Sequence, residues 1–196
     1  MTSYLYNTEL PNSQLKTLQS ALVLFVEKGF FNTSIPDLVK HSGISTGSIY
    51  HAFKDKQAIA EALMKALLVQ IDKEQQEILI KHSSSWERFY ELSKWMIETA
   101  DKHPQVMQFI LNARHKEFMP QLKPICSSQP FITLRSVIQK GMEDGEVIEM
   151  DVMVAASSTF GGVMRLIQLG LDNVLEKPLP EYLDEITRTS WRSIAA

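Results

Sequence analysis

Residues 33–56 read TSIPDLVKHSGISTGSIYHAFKDK, two short helical patterns separated by a glycine turn. Ser34 followed three residues later by Asp37 makes a capping box, and Pro36 falls in the first turn, where a missing N–H is harmless. A short helix is therefore predicted from this point, with Leu38 and Val39 on its buried face. Gly43 stands where the chain must reverse into a left-handed conformation that only glycine adopts cheaply. Ser45 then caps a second helix, along which Thr46, Gly47, Ser48, Tyr50 and His51 point outward while Ile49 and Phe53 point inward. Small and hydroxyl-bearing side chains let a helix approach base edges in the major groove, and tyrosine or lysine can hold phosphates. The stretch predicts a helix-turn-helix that binds double-stranded DNA.

Working outward, helix follows helix with no convincing alternation of the kind a strand shows. Residues 13–28 carry Leu15, Leu18, Leu22, Phe25 and Val26 as an amphipathic stripe that stops at Gly29. Asp55 can cap a long helix with Ile59, Leu63, Leu67, Ile71 and Ile78 on one face, fading into Ser83-Ser84-Ser85. Ser84 and Glu87 form a second capping box, opening a helix that aligns Trp86, Phe89, Leu92, Met96 and Ala100. Pro104 starts the next, to about Phe118; residues 119–130, with Pro120, Pro124 and Pro130, read as a loop. Helices over 131–143, 152–171 (capped by Asp151) and 180–194 (begun by Pro180) complete the set.

Several of these residues, in order and spacing across 13–60, resemble the TetR family of one-component transcriptional regulators. They are Ala21, Phe25, Gly29, Thr33-Ser34, Gly43-Ile44-Ser45, Gly47-Ser48-Ile49-Tyr50, Phe53 and Lys56. Ala52 stands where many members have histidine and Pro36 where some have a base-reading basic residue. The resemblance implies DNA contacts from Ser34, Thr46, Gly47 and Ser48, from Tyr50 and His51 on the phosphate-facing side, and from Lys56. It also implies an all-α fold of about nine helices. In it a three-helix DNA-binding domain, residues 1–55, is joined by a long helix to a ligand-binding and dimerisation domain, residues 56–196.

The charge distribution agrees. The net charge is −3, yet within residues 13–56 Lys16, Lys28, Lys40, Lys54 and Lys56 face only Glu27, Asp37 and Asp55. Non-specific DNA affinity should be modest and salt-dependent. No run of about 18 apolar residues free of charge predicts a membrane span, and no secretory signal is evident at MTSYLYNTELPNS. The single cysteine, Cys126, excludes an internal disulfide, and the expected compartment is the cytoplasm.

Residues 152–171, VMVAASSTFGGVMRLIQLGL, are apolar nearly all round and place Ala155, Ser158, Gly161 and Gly162 at near-helical spacing. Glycines in a helix interior cost about 1 kcal/mol each relative to alanine, so a close helix approach should offset them. The last helix offers Leu183, Ile186, Ser190 and Trp191 or Ile194 as a second stripe. In TetR-like proteins the last two long helices pair with their copies, which makes Ala155, Ser158, Gly162, Leu166, Leu183, Ile186 and Trp191 candidate dimer contacts. Burial of both helices within one subunit is the alternative. A homodimer would match a palindromic operator.

The middle helices supply Trp95, Met96, Met107, Ile110, Phe118, Phe131, Ile138, Met142, Phe160 and Met164, side chains suited to an adaptable apolar cavity or to plain core. Arg165, the only charge between Val152 and Leu171, needs a partner if buried, either a ligand carboxylate or a structural one. Arg114 and His115, followed by Lys116, read as solvated or capping carbonyls, with anion binding the other reading. No phosphate-cradling glycine loop, no HExxH pair and no recognisable Ser-His-Asp arrangement is present, so no enzyme, cofactor or metal site is expected. The expected function is a repressor released from its operator by a small, largely apolar effector. A redox- or electrophile-responsive regulator acting through Cys126 is the alternative.

Overall fold

The computed structural model describes residues 4–6, 9–112, 115–121 and 124–196, and the predicted all-α fold is the fold found. Among the described residues there are ten α-helices and no strand. They are α1 (Asn12–Glu27), α2 (Ile35–Ser42), α3 (Thr46–Ala52), α4 (Lys56–Lys81), α5 (Ser85–Lys102), α6 (Pro104–Met107), α7 (His115–Phe118), α8 (Gln129–Glu143), α9 (Val152–Leu171) and α10 (Leu183–Arg192). The helices gather into two compact units, one of residues 1–70 with 105–123 and one of residues 71–104 with 124–196.

In the first unit α1 packs on α2 and α3, and Leu18, Ala21, Phe25, Leu38, Ile49 and Phe53 close its core. Of the two residues expected to face inward from α2, Leu38 is buried and Val39 only half-buried, because eight residues of helix turn a single narrow stripe toward α1. Asp55 caps α4 as read from the sequence, its carboxylate accepting from the Ala58 N–H at 2.8 Å. The one continuous helix expected from Pro104 to Phe118 is instead α6 followed by a π-helical turn, Gln108–Asn112, and then α7. No proline or glycine lies between Gln105 and Lys116 to mark that widened turn in the sequence.

In the second unit α5 packs against α8, α9 and α10, and α8 and α10 each pack on α9. Phe89 sits at the centre, edge-on to Phe160 at 5.0 Å and stacked on Trp191 at 5.5 Å. Full burial of such a side chain contributes about 1.5–3 kcal/mol. The capping box of Ser84 and Glu87 is formed. A second carboxylate, from Glu146, also accepts the Ser85 N–H (2.8 Å) and the Trp86 N–H (3.1 Å), where a helix N-terminus favours an anion. Residues 146–148 pair with the end of the chain. The Ile148 N–H donates to Ile194 O, the Ala196 N–H donates to Glu146 O, and Val147 bridges Ala195 antiparallel. α8 begins at Gln129 rather than 131, with Pro130 in its first turn, and α10 at Leu183 after a 3₁₀ turn over Leu179–Tyr182.

Candidate nucleic-acid interface

The turn between α2 and α3 is built from local chemistry. Ser34 Oγ accepts from the Asp37 N–H (3.2 Å), Asp37 Oδ2 accepts from the Ser34 N–H (2.9 Å), and the Ser34 hydroxyl donates to the same carboxylate at 2.5 Å. Lys28 adds an exposed ion pair to Asp37 at 2.9 Å. The hydrogen bond from Ser34, then that from Lys28, holds the Asp37 carboxyl well below the usual carboxylate range. Gly43 takes φ +70°, which reverses the chain after α2. Ser45 caps α3, accepting from the Ser48 N–H at 3.2 Å.

Two buried side chains, Ile49 and Phe53, fix how α3 sits on the unit. Thr46, Gly47, Ser48, Tyr50 and His51 are all exposed as a result, and Tyr50 leaves 54% of its surface to solvent. That face carries two hydroxyls, a phenol, an imidazole and bare backbone, and every group on it can hydrogen-bond. Ser34 is exposed too, although its hydroxyl is occupied by the capping box.

Lys56 lies differently from the other predicted contacts. Its ammonium donates to the carbonyls of Phe30 (2.6 Å), Thr33 (2.7 Å) and, at 3.4 Å, Phe31, and it lies 4.4 Å from the centroid of the Phe30 ring. Partial burial pushes its pKa down. The three donors of the ammonium are therefore spent on the loop that leads into α2. The Phe30 ring in turn stacks on Phe118, 4.4 Å between centroids with planes 13° apart. Nothing local in the sequence pairs residues 26 and 88 positions apart, so neither contact was legible there.

The candidate effector residues divide between the two units. Met107, Ile110 and Phe118 are buried in the first. In the second, Met96 and Phe160 are buried, Phe131 and Met164 are half-buried, and half-buried Trp95 donates its indole N–H to Glu74 at 2.8 Å. Arg114 lies outside the described residues. Arg165 is exposed, so burial in the protomer does not demand a partner for it. His115, read from the sequence as solvated or capping carbonyls, is buried rather than solvated, and its Nε2 has no hydrogen-bond partner.

The small residues of α9 serve two different faces. Ala155 belongs to the protomer's own core. Gly162 faces α10, where an added Cβ would come within 3.1 Å of Ser190 Oγ and 3.7 Å of Ile186 Cδ1. Leu166, Leu183, Ile186 and Trp191 are half-buried, Trp191 against Trp86 and Phe89. Outward, Met153, Val154, Ser157 and Ser158 line a shallow surface depression, with Met153 and Val154 about half exposed. By length and composition alone α9 could cross a membrane. Cys126 is exposed, and the guanidinium of Arg135 donates to its carbonyl oxygen at 2.7 Å.

Residues 18–63 match the family model described as bacterial regulatory proteins, tetR family. Over 138 residues the chain is 27% identical to the HTH-type transcriptional repressor KstR2 of Mycolicibacterium smegmatis, a match that covers 65% of this chain and 64% of that repressor. It is 25% identical to the fatty acid metabolism regulator protein of Bacillus subtilis, over 76% of this chain and 78% of that protein. The crystal structure of the transcriptional regulator FadR from Bacillus subtilis in complex with stearoyl-CoA superposes with a TM-score of 0.79 at 18% identity, covering 90% of this chain and 96% of that one. FadR from Bacillus halodurans superposes with a TM-score of 0.81 at 13% identity, covering 94% and 97%. These relatives are regulators of transcription rather than enzymes, and residues 18–63 of this chain carry the helix-turn-helix that the tetR family model describes.

Proposed function

We propose that the protein is a cytoplasmic, homodimeric repressor that leaves a palindromic operator when an apolar small molecule, carrying a long acyl chain or a group of similar bulk, binds residues 56–196. The observation that carries the DNA half is the exposed face of α3, held outward by Ile49 and Phe53. On this reading residues 1–55 are the DNA-binding domain. Thr46, Gly47 and Ser48 approach base edges, Tyr50 and His51 meet phosphates, Ser34 stands at the start of α2, and Lys56 positions the loop before it. The acyl class of effector is suggested by the relatives, one a fatty acid metabolism regulator and one a fold neighbour that holds stearoyl-CoA.

A twofold operator needs a twofold reader, and the outward face of α9 is the surface offered to a second copy. Met153 and Val154 leave apolar area in water there, beside Ser157 and Ser158, which are small enough for a neighbouring helix to come close. α4, which contributes residues to both units, is the covalent route by which an effector alters the DNA-binding helices. Footprinting on the DNA that flanks the coding region, with and without stearoyl-CoA, tests the reading. A symmetric protected site that fades with the ligand supports it, and no protected site removes it.

A further inference from the structure

His115 is a buried group that DNA binding does not use. It follows the π-helical turn, with 9% of its surface exposed, and its ring meets Phe109 edge-on at 5.2 Å and Phe118 at 5.9 Å. Nε2 has no hydrogen-bond partner, and the nearby Phe109 carbonyl favours the tautomer that carries the proton on Nδ1. In that tautomer Nε2 is an acceptor, a lone pair shut away from water with nothing to receive. Burial pushes the pKa of the ring down, the Phe109 carbonyl opposing it, and the imidazole is neutral. The ionisable side chains of the elements packed here, Lys16 and Glu27 on α1 and Lys116 and Glu117 on α7, are exposed.

A phenylalanine or leucine would fill the same space without stranding a polar atom, so the imidazole carries a cost that packing does not explain. π-turns occur frequently at functional sites. Met107, Ile110 and Phe118, buried on the same segment, give the surroundings an apolar character.

We propose that His115 is the polar anchor of the effector site in this unit, accepting through Nε2 a hydrogen bond from a neutral donor, a hydroxyl or an amide N–H, carried by an apolar molecule. A carboxylate has no hydrogen to give and sets its charge against the lone pair, so a free fatty-acid anion is refused. An alcohol satisfies the site with its hydroxyl, and an acyl-CoA does so with the hydroxyl or amide N–H groups of its pantetheine arm. Reaching the nitrogen displaces one of the two rings beside it, and Phe118 is the ring stacked on Phe30. Occupancy is thereby felt at the loop that Lys56 pins. The proposal rests on the reading of the protein as ligand-responsive, and it adds which end of the ligand is recognised.

The test measures binding of dodecan-1-ol, dodecanoyl-CoA and dodecanoate to the full chain by isothermal titration calorimetry. It is run on wild type, on His115→Phe, which removes the nitrogen, and on His115→Gln, which keeps an acceptor should the first variant fold poorly. Operator binding and thermal unfolding are followed in parallel. At least one of the two donor-bearing probes should bind wild type tenfold or more tightly than dodecanoate. His115→Phe should erase that preference, unfold at a higher temperature and keep its operator affinity, while His115→Gln retains part of the preference. Tightest binding of dodecanoate, an unchanged preference in His115→Phe, or no binding of any probe overturns the anchor. Loss of the anchor with an intact operator footprint leaves the regulator reading standing, whereas a wild-type protein that protects no DNA removes that reading whatever the probes do.

Discussion

The ammonium of Lys56 lies 2.6 Å from the carbonyl oxygen of Phe30 and 4.4 Å from the centroid of its ring, so one cation holds both the backbone and the side chain of a residue within the loop before α2. A lysine that held a phosphate would behave differently from one that holds this loop. Replacing Lys56 by methionine should weaken operator binding by misplacing α2, yet leave the salt dependence of binding unchanged. Removal of a phosphate contact would instead flatten the logarithmic slope by about 0.9. Titrations of operator at several salt concentrations separate the two.

The exposed face of α3 should divide by chemistry. Tyr50→Phe removes only the phenolic hydroxyl and should weaken binding to all sequences by a similar factor, since a phosphate contact positions without specifying. Thr46→Ala should relax preference at particular base pairs, each worth about 1–3 kcal/mol of discrimination when fully read. Equal losses across every operator variant for both mutants would place Thr46 outside base readout.

Gly162 and Val154 lie on different sides of α9 and should fail differently. Gly162→Leu drives a side chain into Ser190 and Ile186 of the same chain, which should cost about 1–3 kcal/mol of stability whatever the protein concentration. Val154→Glu places a charge on the outward face and should leave the protomer folded while sedimentation shifts toward monomer. A fully dimeric Val154→Glu protein would move the second copy to another surface.

Stability should fall as pH drops below the ordinary histidine value of 6.5, because His115 is held neutral by burial and its folded pKa is lowered. The unfolded chain then binds the proton first, so the contribution is complete above 6.5 and is lost progressively as pH falls toward the folded pKa. His103, also lowered chiefly by burial, acts in the same direction. Asp37 is depressed instead below 3.8 and belongs to a more acid window. Urea midpoints at roughly pH 7.5 and roughly pH 5.5 should differ less in His115→Phe than in wild type.

What the sequence discloses here is what local chemistry controls. Ser34 with Asp37, Ser84 with Glu87, Ser45, Asp55 and Asp151 are each read within a few residues of where they act, and each forms the cap expected of it. The outward set of α3 is legible for the same reason, since the helical period brings Ile49 and Phe53 to one face and turns Tyr50 and His51 away from it. Lys56 on Phe30 and Glu146 on the first amides of α5 are contacts over long chain separations, and periodicity carries no trace of them. His115 is hidden by a different cause. The π-helical turn before it breaks the 3.6-residue period on which a reading of its face relies. The role of Gly162 was half visible: its smallness implies a close neighbour, but not whether that neighbour is α10 of its own chain or a second copy.

The pairing of residues 146–148 with 194–196 ties the base of the segment that holds α9 and α10, so that stretch is closed into a loop by its own ends. Glu146 takes part at both levels: its backbone carbonyl receives the amide of Ala196, and its carboxylate receives the first amides of α5. Neither helix can fray from its terminus without breaking the tie, and breaking the tie frees the start of α5 as well. The amides of Ile148, Ser85 and Ala196 should therefore exchange with solvent as members of one cooperative opening. Residues 194–196 are thereby a fastening for α9, α10 and the start of α5 together.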